Sequence, residues 1–273
     1  MLVDIHAHLN FHAFAHDRNE VIKRTLAGGV RVINVGTQQS TSRAALTLAQ
    51  AYDGLWATVG LHPIHTDKSF HDTAELGEGG GEFAGRGEKF DAEFYRELAI
   101  HPKVVAIGEC GLDFYRLEAE TKTKQEEAFR AQIALALELD KPLMIHCRDA
   151  HEEVLAILRE YKKEAEERLR GNIHFYSGTL EQAREYWRLG FTLSFTGVIT
   201  FARDRDEIIK TLPPEAIMIE TDAPYVAPAP YRGKRNEPLY VVEVARKIAE
   251  LRGIPLEEVA KTTTANAKRV FSI

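Results

Sequence analysis

The chain reads as an α/β protein of the (β/α)8 TIM-barrel class, one domain across residues 1–273. Three observations predict this. Eight short apolar runs of strand character alternate with stretches of helical period, the pattern of repeated βα units around a parallel sheet. No GxGxxG turn follows any of these runs, so the competing doubly wound sheet lacks its usual signature. Finally, His6, His8, Glu109, His146, His174 and Asp222 stand at the far ends of runs scattered along the whole chain. A closed parallel barrel gathers such tips at one mouth, where chemistry is done.

The strands are expected at Leu2–His8, Arg31–Gly36, Trp56–His62, Val104–Asp113, Pro142–Cys147, Asn172–Ser177, Phe191–Gly197 and Ile217–Asp222. Between them, apolar residues recur at three- and four-residue intervals over Glu20–Gly28, Thr41–Tyr52, Ala92–His101, Thr123–Leu139, His151–Leu169, Glu181–Leu189 and Arg203–Leu212. Val154, Leu155, Leu158 and Tyr161 illustrate the spacing, which places them on one helical face. Two further helices, about Leu239–Arg252 and Leu256–Val270, follow the last strand, the second opened by Pro255. The glycine-rich stretch Gly77–Glu88, within an insertion at about residues 66–90, interrupts the rhythm and is expected to be a surface loop, either a plain insertion or a lid.

A hydrophobic content of 44% with 28% charged residues is ordinary for a globular protein with a sizeable core. The net charge of −6 argues against a protein that coats nucleic acid. It leaves room for an enzyme acting on nucleic acid, because bound divalent cations reverse the local field. The two cysteines, Cys110 and Cys147, suit a reducing compartment, and each follows a candidate ligand, so both thiols should face the outer helices. The start MLVDIHAHLN has no basic region before an apolar stretch, so a cytoplasmic location without a leader is expected. No segment is apolar over the length a bilayer requires, and no obligate protein partner is evident.

His6 and His8, two apart on a strand, project to the same side. Asp4, one layer deeper, is placed to accept an imidazole N–H. Glu109, on an otherwise apolar strand, is costly unless paired or metal-bound, and its carboxylate can bridge two cations. His146 and His174 end consecutive strands. Asp222 ends the eighth, before Pro224, with Glu220 deeper on the same face as support. Four imidazoles and two carboxylates of this kind form a site for two divalent metal ions (Zn, Mn or Mg, the histidines suiting Zn, Mn or Fe more than Mg), with Glu109 and Asp222 also placed for catalysis. His62, Asp113, Arg148, Arg235 and Asn236 are the expected substrate contacts, with Asp113 equally placed to support a ligand; the last two lie in the short basic loop Tyr231–Asn236. His12, His16, His65, His71, His101 and His151 fall in helices or loops and are read as surface residues.

DIHAHL, VGLHP, IGECGLDFYR, PLMIHCRDA, NIHFYSG, ETDAP and RGKRNEP, in that order, resemble the TatD-type metal-dependent deoxyribonucleases of the amidohydrolase superfamily. The resemblance spans nearly the whole chain. It implies a binuclear metal site built from His6, His8, Glu109, His146, His174 and Asp222, with Glu109 bridging. It also implies hydrolysis of DNA phosphodiesters, as a 3′–5′ exonuclease preferring single-stranded ends. Two departures stand out. His174-Phe175-Tyr176-Ser177-Gly178 replaces the family's HCFSG, keeping the ligand and changing its neighbours, and the glycine-rich insertion is long, which bears on substrate access. The alternative is a small-molecule amidohydrolase, of lactonase, deaminase or phosphotriesterase type, using the same ligands. Many of these carry a carboxylated lysine on the fourth strand, where this chain has Glu109. A barrel that had lost catalysis would be expected to lack a ligand, and none is missing.

Overall fold

Eight parallel strands, β1 (Leu2–Ala7), β2 (Val30–Val35), β3 (Leu55–Val59), β4 (Val104–Asp113), β5 (Leu143–Arg148), β6 (Gly171–Ile173), β7 (Phe191–Phe195) and β8 (Ile217–Ile219), each pair with the next in sequence. The ring closes just beyond β8. There Ala7 bridges Ala223 in parallel register, the Asp222 N–H donates to the His6 carbonyl (2.9 Å), and the His8 N–H donates to the Ala223 carbonyl (2.7 Å). Side chains secure the same seam: Asp4 accepts from the Thr221 N–H (2.9 Å) and hydroxyl (2.5 Å). The expected (β/α)8 barrel is the observed one.

The structure, a computed structural model, describes residues 1–67, 87–115 and 119–273. His71 and residues 77–86 of the glycine-rich stretch lie outside the described residues. The described helices are α1 (Arg18–Ala27), α2 (Gln39–Ala51), α3 (Ala92–Ala99), α4 (Ala119–Glu138), α5 (His151–Ala165), α6 (Leu180–Arg188), α7 (Asp206–Thr211), α8 (Val241–Arg252) and α9 (Leu256–Phe271). Among them none is long and apolar enough to cross a membrane. Local chemistry sets several ends. The Asp91 carboxylate caps α3 by accepting from the Glu93 and Phe94 N–H groups. Thr179 and Gln182 form a reciprocal capping box on α6, and Gly253, in the left-handed region, closes α8.

The strands are shorter than expected at the ends that reach the site. β6 stops at Ile173 and β8 at Ile219, because Phe175 (φ 46°) and Asp222 (φ 54°) turn out of extended conformation. Helix α5 ends at Ala165 rather than Leu169, since Glu166 also has positive φ (48°). Every residue of β4 is buried. Gly108 and Gly111 have φ of 143° and 130°, and a Cβ on either would collide with a carbonyl oxygen of β5, that of Met144 or His146. Glycine at these two places lets β4 press against β5 on both sides of Glu109. A cluster including Val3, Ile5, Met144, Met218, Ala267 and Phe271 fastens α9 to the barrel.

Candidate metal centre at the barrel mouth

The six candidate ligands converge at the carboxyl ends of the strands, as the barrel reading required. His8 donates from Nδ1 to the Val35 carbonyl (3.1 Å), which turns Nε2 inward, where burial is outweighed by Asp222 and Glu109, which raise the pKa of the ring. That Nε2 lies 3.2 Å from His6 Nε2, 3.4 Å from Asp222 Oδ1 and 3.9 Å from Glu109 Oε2. His6 Nε2 in turn is 3.4 Å from Glu109 Oε2 and 3.8 Å from Asp222 Oδ1. The other oxygen of Glu109 serves a second set. Oε1 lies 2.8 Å from His174 Nε2 and 3.1 Å from His146 Nδ1, themselves 3.3 Å apart.

A divalent cation fits both sets. Donors about 2.1 Å from a shared tetrahedral centre stand about 3.4 Å from one another, within the 2.8–3.9 Å span of the distances here. Imidazole nitrogens mixed with carboxylate oxygens are the donors that Zn²⁺ and Mn²⁺ accept. The other ring nitrogen of His6, Nδ1, is buried without a hydrogen-bond partner. Burial, with His174 close by, lowers the pKa of His6 to about 3, so the ring is neutral and available. Burial opposes charge on Glu109, yet His62, His174 and His6 hold its carboxyl well below the usual range, so it is ionised.

The supporting residues divide into those foreseen and those corrected. Glu220, fully buried, accepts from the Phe175 N–H (2.6 Å) and the Ser194 hydroxyl (2.8 Å) and sits 3.5 Å from His174 Nδ1. Asp113 lines the cavity, but its carboxylate is taken up by His146 Nε2 (2.9 Å) and the Tyr115 N–H (3.0 Å). It thereby fixes the His146 tautomer that turns Nδ1 inward. His62 accepts from the Ile64 N–H at Nδ1, so its Nε2 carries the proton and donates to Glu109 Oε1 (3.3 Å). Its pKa falls to about 4, chiefly through burial, which keeps the ring neutral. Arg148 is exposed at the rim, with its guanidinium 3.5 Å from the Tyr115 ring centroid.

Four expectations fail. Arg235 is not free for substrate: its guanidinium grips both oxygens of Asp17 (2.8 and 2.6 Å) and the Ala13 carbonyl (2.7 Å). Asn236 is wholly buried, its amide donating to the Thr221 (2.9 Å) and Tyr225 (2.7 Å) carbonyls on either side of Asp222. Asp4 accepts backbone and hydroxyl protons, from His6 N–H (3.2 Å) and from Thr221, and no imidazole proton. His65 and His151 are not surface residues. His65 is buried, and His151 is partly buried against Cys147 Sγ (3.2 Å) and the Tyr186 hydroxyl (3.1 Å). Pro63 offered a signal for His65: it starts a tight 3₁₀ turn, Pro63–Thr66, in which positions three apart share a face, so His65 follows His62 inward. Both cysteines are buried, as expected.

Asn236→Ala tests the positioning role. Leaving the Thr221 and Tyr225 carbonyls unpaired is expected to cost ~1–3 kcal/mol of unfolding free energy in a denaturant melt. Turnover should fall about tenfold as the Asp222 turn loosens, with bound metal retained by elemental analysis. Unchanged stability and turnover would show that the amide does not hold the turn.

A profile of the TatD related DNase family matches residues 3–272. The chain belongs to that family. Over 276 residues it is 43% identical to a Bacillus subtilis protein called "Uncharacterized metal-dependent hydrolase YabD", covering all of both chains. It is 36% identical, over 100% of its own length and 99% of the relative's, to the "3'-5' ssDNA/RNA exonuclease TatD" of Escherichia fergusonii. Among solved structures it resembles the TatD homologue YJJV of Escherichia coli, with a TM-score of 0.82 at 27% identity, covering 100% of this chain and 98% of that one. As a member of the TatD family, the protein is a metal-dependent enzyme that hydrolyses ester bonds.

Proposed function

We propose that the protein is a 3′–5′ deoxyribonuclease that removes nucleotides from single-stranded ends, with two divalent ions held by His6, His8, Glu109, His146, His174 and Asp222. The observation that carries this reading is the division of Glu109, whose Oε2 faces one pair of imidazoles and whose Oε1 faces another. Ions in such a site supply Lewis acidity toward phosphoryl oxygens and lower the pKa of water toward about 7. The protein's own groups supply the remainder. Asp222, 14% exposed and opening into the cavity, takes the proton of the attacking water. Asp113 holds His146 in one tautomer, and Glu220 supports His174. His62 lines the cavity with its one N–H turned to Glu109, and Arg148 offers a guanidinium to phosphate oxygens. The mouth opens on a cavity of about 550 Å³, the size of a pocket for one small molecule, which suits a terminal nucleotide rather than a duplex.

The test is a 5′-labelled single-stranded oligonucleotide with Mn²⁺ or Mg²⁺. A ladder of products shortening from the 3′ end is expected, abolished by EDTA and restored by metal. Absence of cleavage across divalent ions, together with turnover of a lactone or phosphotriester, would replace this reading with that of a small-molecule amidohydrolase.

A further inference from the structure

Among the described residues the large apolar side chains standing well exposed are Met1, Ile64, Ile100, Tyr115 and Phe201. Ile64, Tyr115 and Phe201 follow the carboxyl ends of β3, β4 and β7 and therefore ring the mouth. Two of these three carry a guanidinium on the ring: Arg148 lies 3.5 Å from the Tyr115 centroid, and Arg232 lies 4.0 Å from that of Phe201. Tyr115 and Phe201 remain 48% and 38% exposed under their arginines. Arg148 and Arg232 are exposed, and among the described residues neither forms an ion pair, unlike Arg235 with Asp17. On a chain of net charge −6, unpaired cations laid on exposed aromatics at the active mouth form a local surface opposite to the whole.

We propose that these two arginine–aromatic stacks are base-stacking platforms for one polynucleotide strand, an inference that rests on the nuclease reading. The Tyr115–Arg148 stack holds the base of the 3′-terminal nucleotide. Arg148 lines the cavity, and the Tyr115 N–H is bonded to Asp113, which in turn holds His146. The Phe201–Arg232 stack belongs to the β7 and β8 loops, on another arc of the ring from β4 and β5, and takes a base further along the strand. Aromatic and guanidinium planes stack any base, while the positive charge tracks the backbone, so the surface is tolerant of sequence. Paired bases hide their faces against one another, so the same surface selects single strands.

The experiment uses the full chain carrying Asp222→Asn, with Mn²⁺, so that the strand is bound without being cut. Oligothymidylates carry 2-aminopurine either at the 3′ end or several nucleotides inward, and quenching and anisotropy are both recorded. Tyr115→Ala should relieve quenching at the 3′ end alone and raise Kd about five- to tenfold. Phe201→Ala should do the same at one inner position alone, and Tyr115→Phe should keep the quench. Quenching unaffected by either substitution, loss at both positions alike, or equal affinity for a duplex would overturn the proposal while leaving the nuclease reading standing. A parent enzyme that neither binds the strand nor, with Asp222 restored, cleaves it would remove the nuclease reading itself.

Discussion

Glu109→Gln is expected to lower kcat/KM by at least about a thousandfold and to reduce the bound metal to half or less of that held by the parent protein. The substitution preserves shape and removes only charge, so the cause is electrostatic. The carboxylate is buried, yet His62, His174 and His6 keep its pKa well below the ordinary range. It is also the group whose two oxygens face the two donor sets, at 2.8–3.1 Å on one side and 3.4–3.9 Å on the other. An amide presents one oxygen and one NH₂ group, so one set would meet a donor where it needs an acceptor. Elemental analysis of the dialysed protein beside steady-state kinetics reads both effects. Retention of the parent's full metal content with near-normal turnover would mean that Glu109 does not join the sets.

Asp222→Asn should be nearly as damaging by a different route. Its oxygen lies among the His6 and His8 nitrogens, but the side chain also opens to the cavity, where an attacking water must lose a proton. An amide retains an oxygen for metal and cannot accept that proton. The expected result is a fall in kcat of about 10²–10⁴ with KM little changed, and metal content reduced less than in Glu109→Gln. An equal loss of metal in the two variants would assign Asp222 to ligation alone.

The alternation of apolar strands with amphipathic helices was legible because both periods are local, and all eight strands lie where that alternation placed them. The inward turn of most candidate ligands was legible for the same reason: His6 and His8 are two apart, and His146 and His174 lie near the ends of β5 and β6, whereas Glu109 lies within β4. What could not be read depends on partners distant in sequence. Arg235 looked free because Asp17, which holds it, is 218 positions away. Asn236 resembled a loop residue, and only the fold sets its amide between Thr221 and Tyr225. The early ends of β6 and β8 arise from positive φ at Phe175 and Asp222, residue types that do not announce it. Tautomers were also beyond the sequence. The Val35 carbonyl chooses the nitrogen His8 turns inward, and Asp113 chooses for His146.

The ring is joined between its first strand and residues just past its last, where Thr221 meets Asp4 and Asp222 meets His6. In a chain still being synthesised, His6 and His8 precede Asp222, one of their two carboxylate neighbours, by more than two hundred residues. A nascent polypeptide on the ribosome thus lacks one wall of the cluster until its last strand has been made. The cluster is complete only when the barrel is.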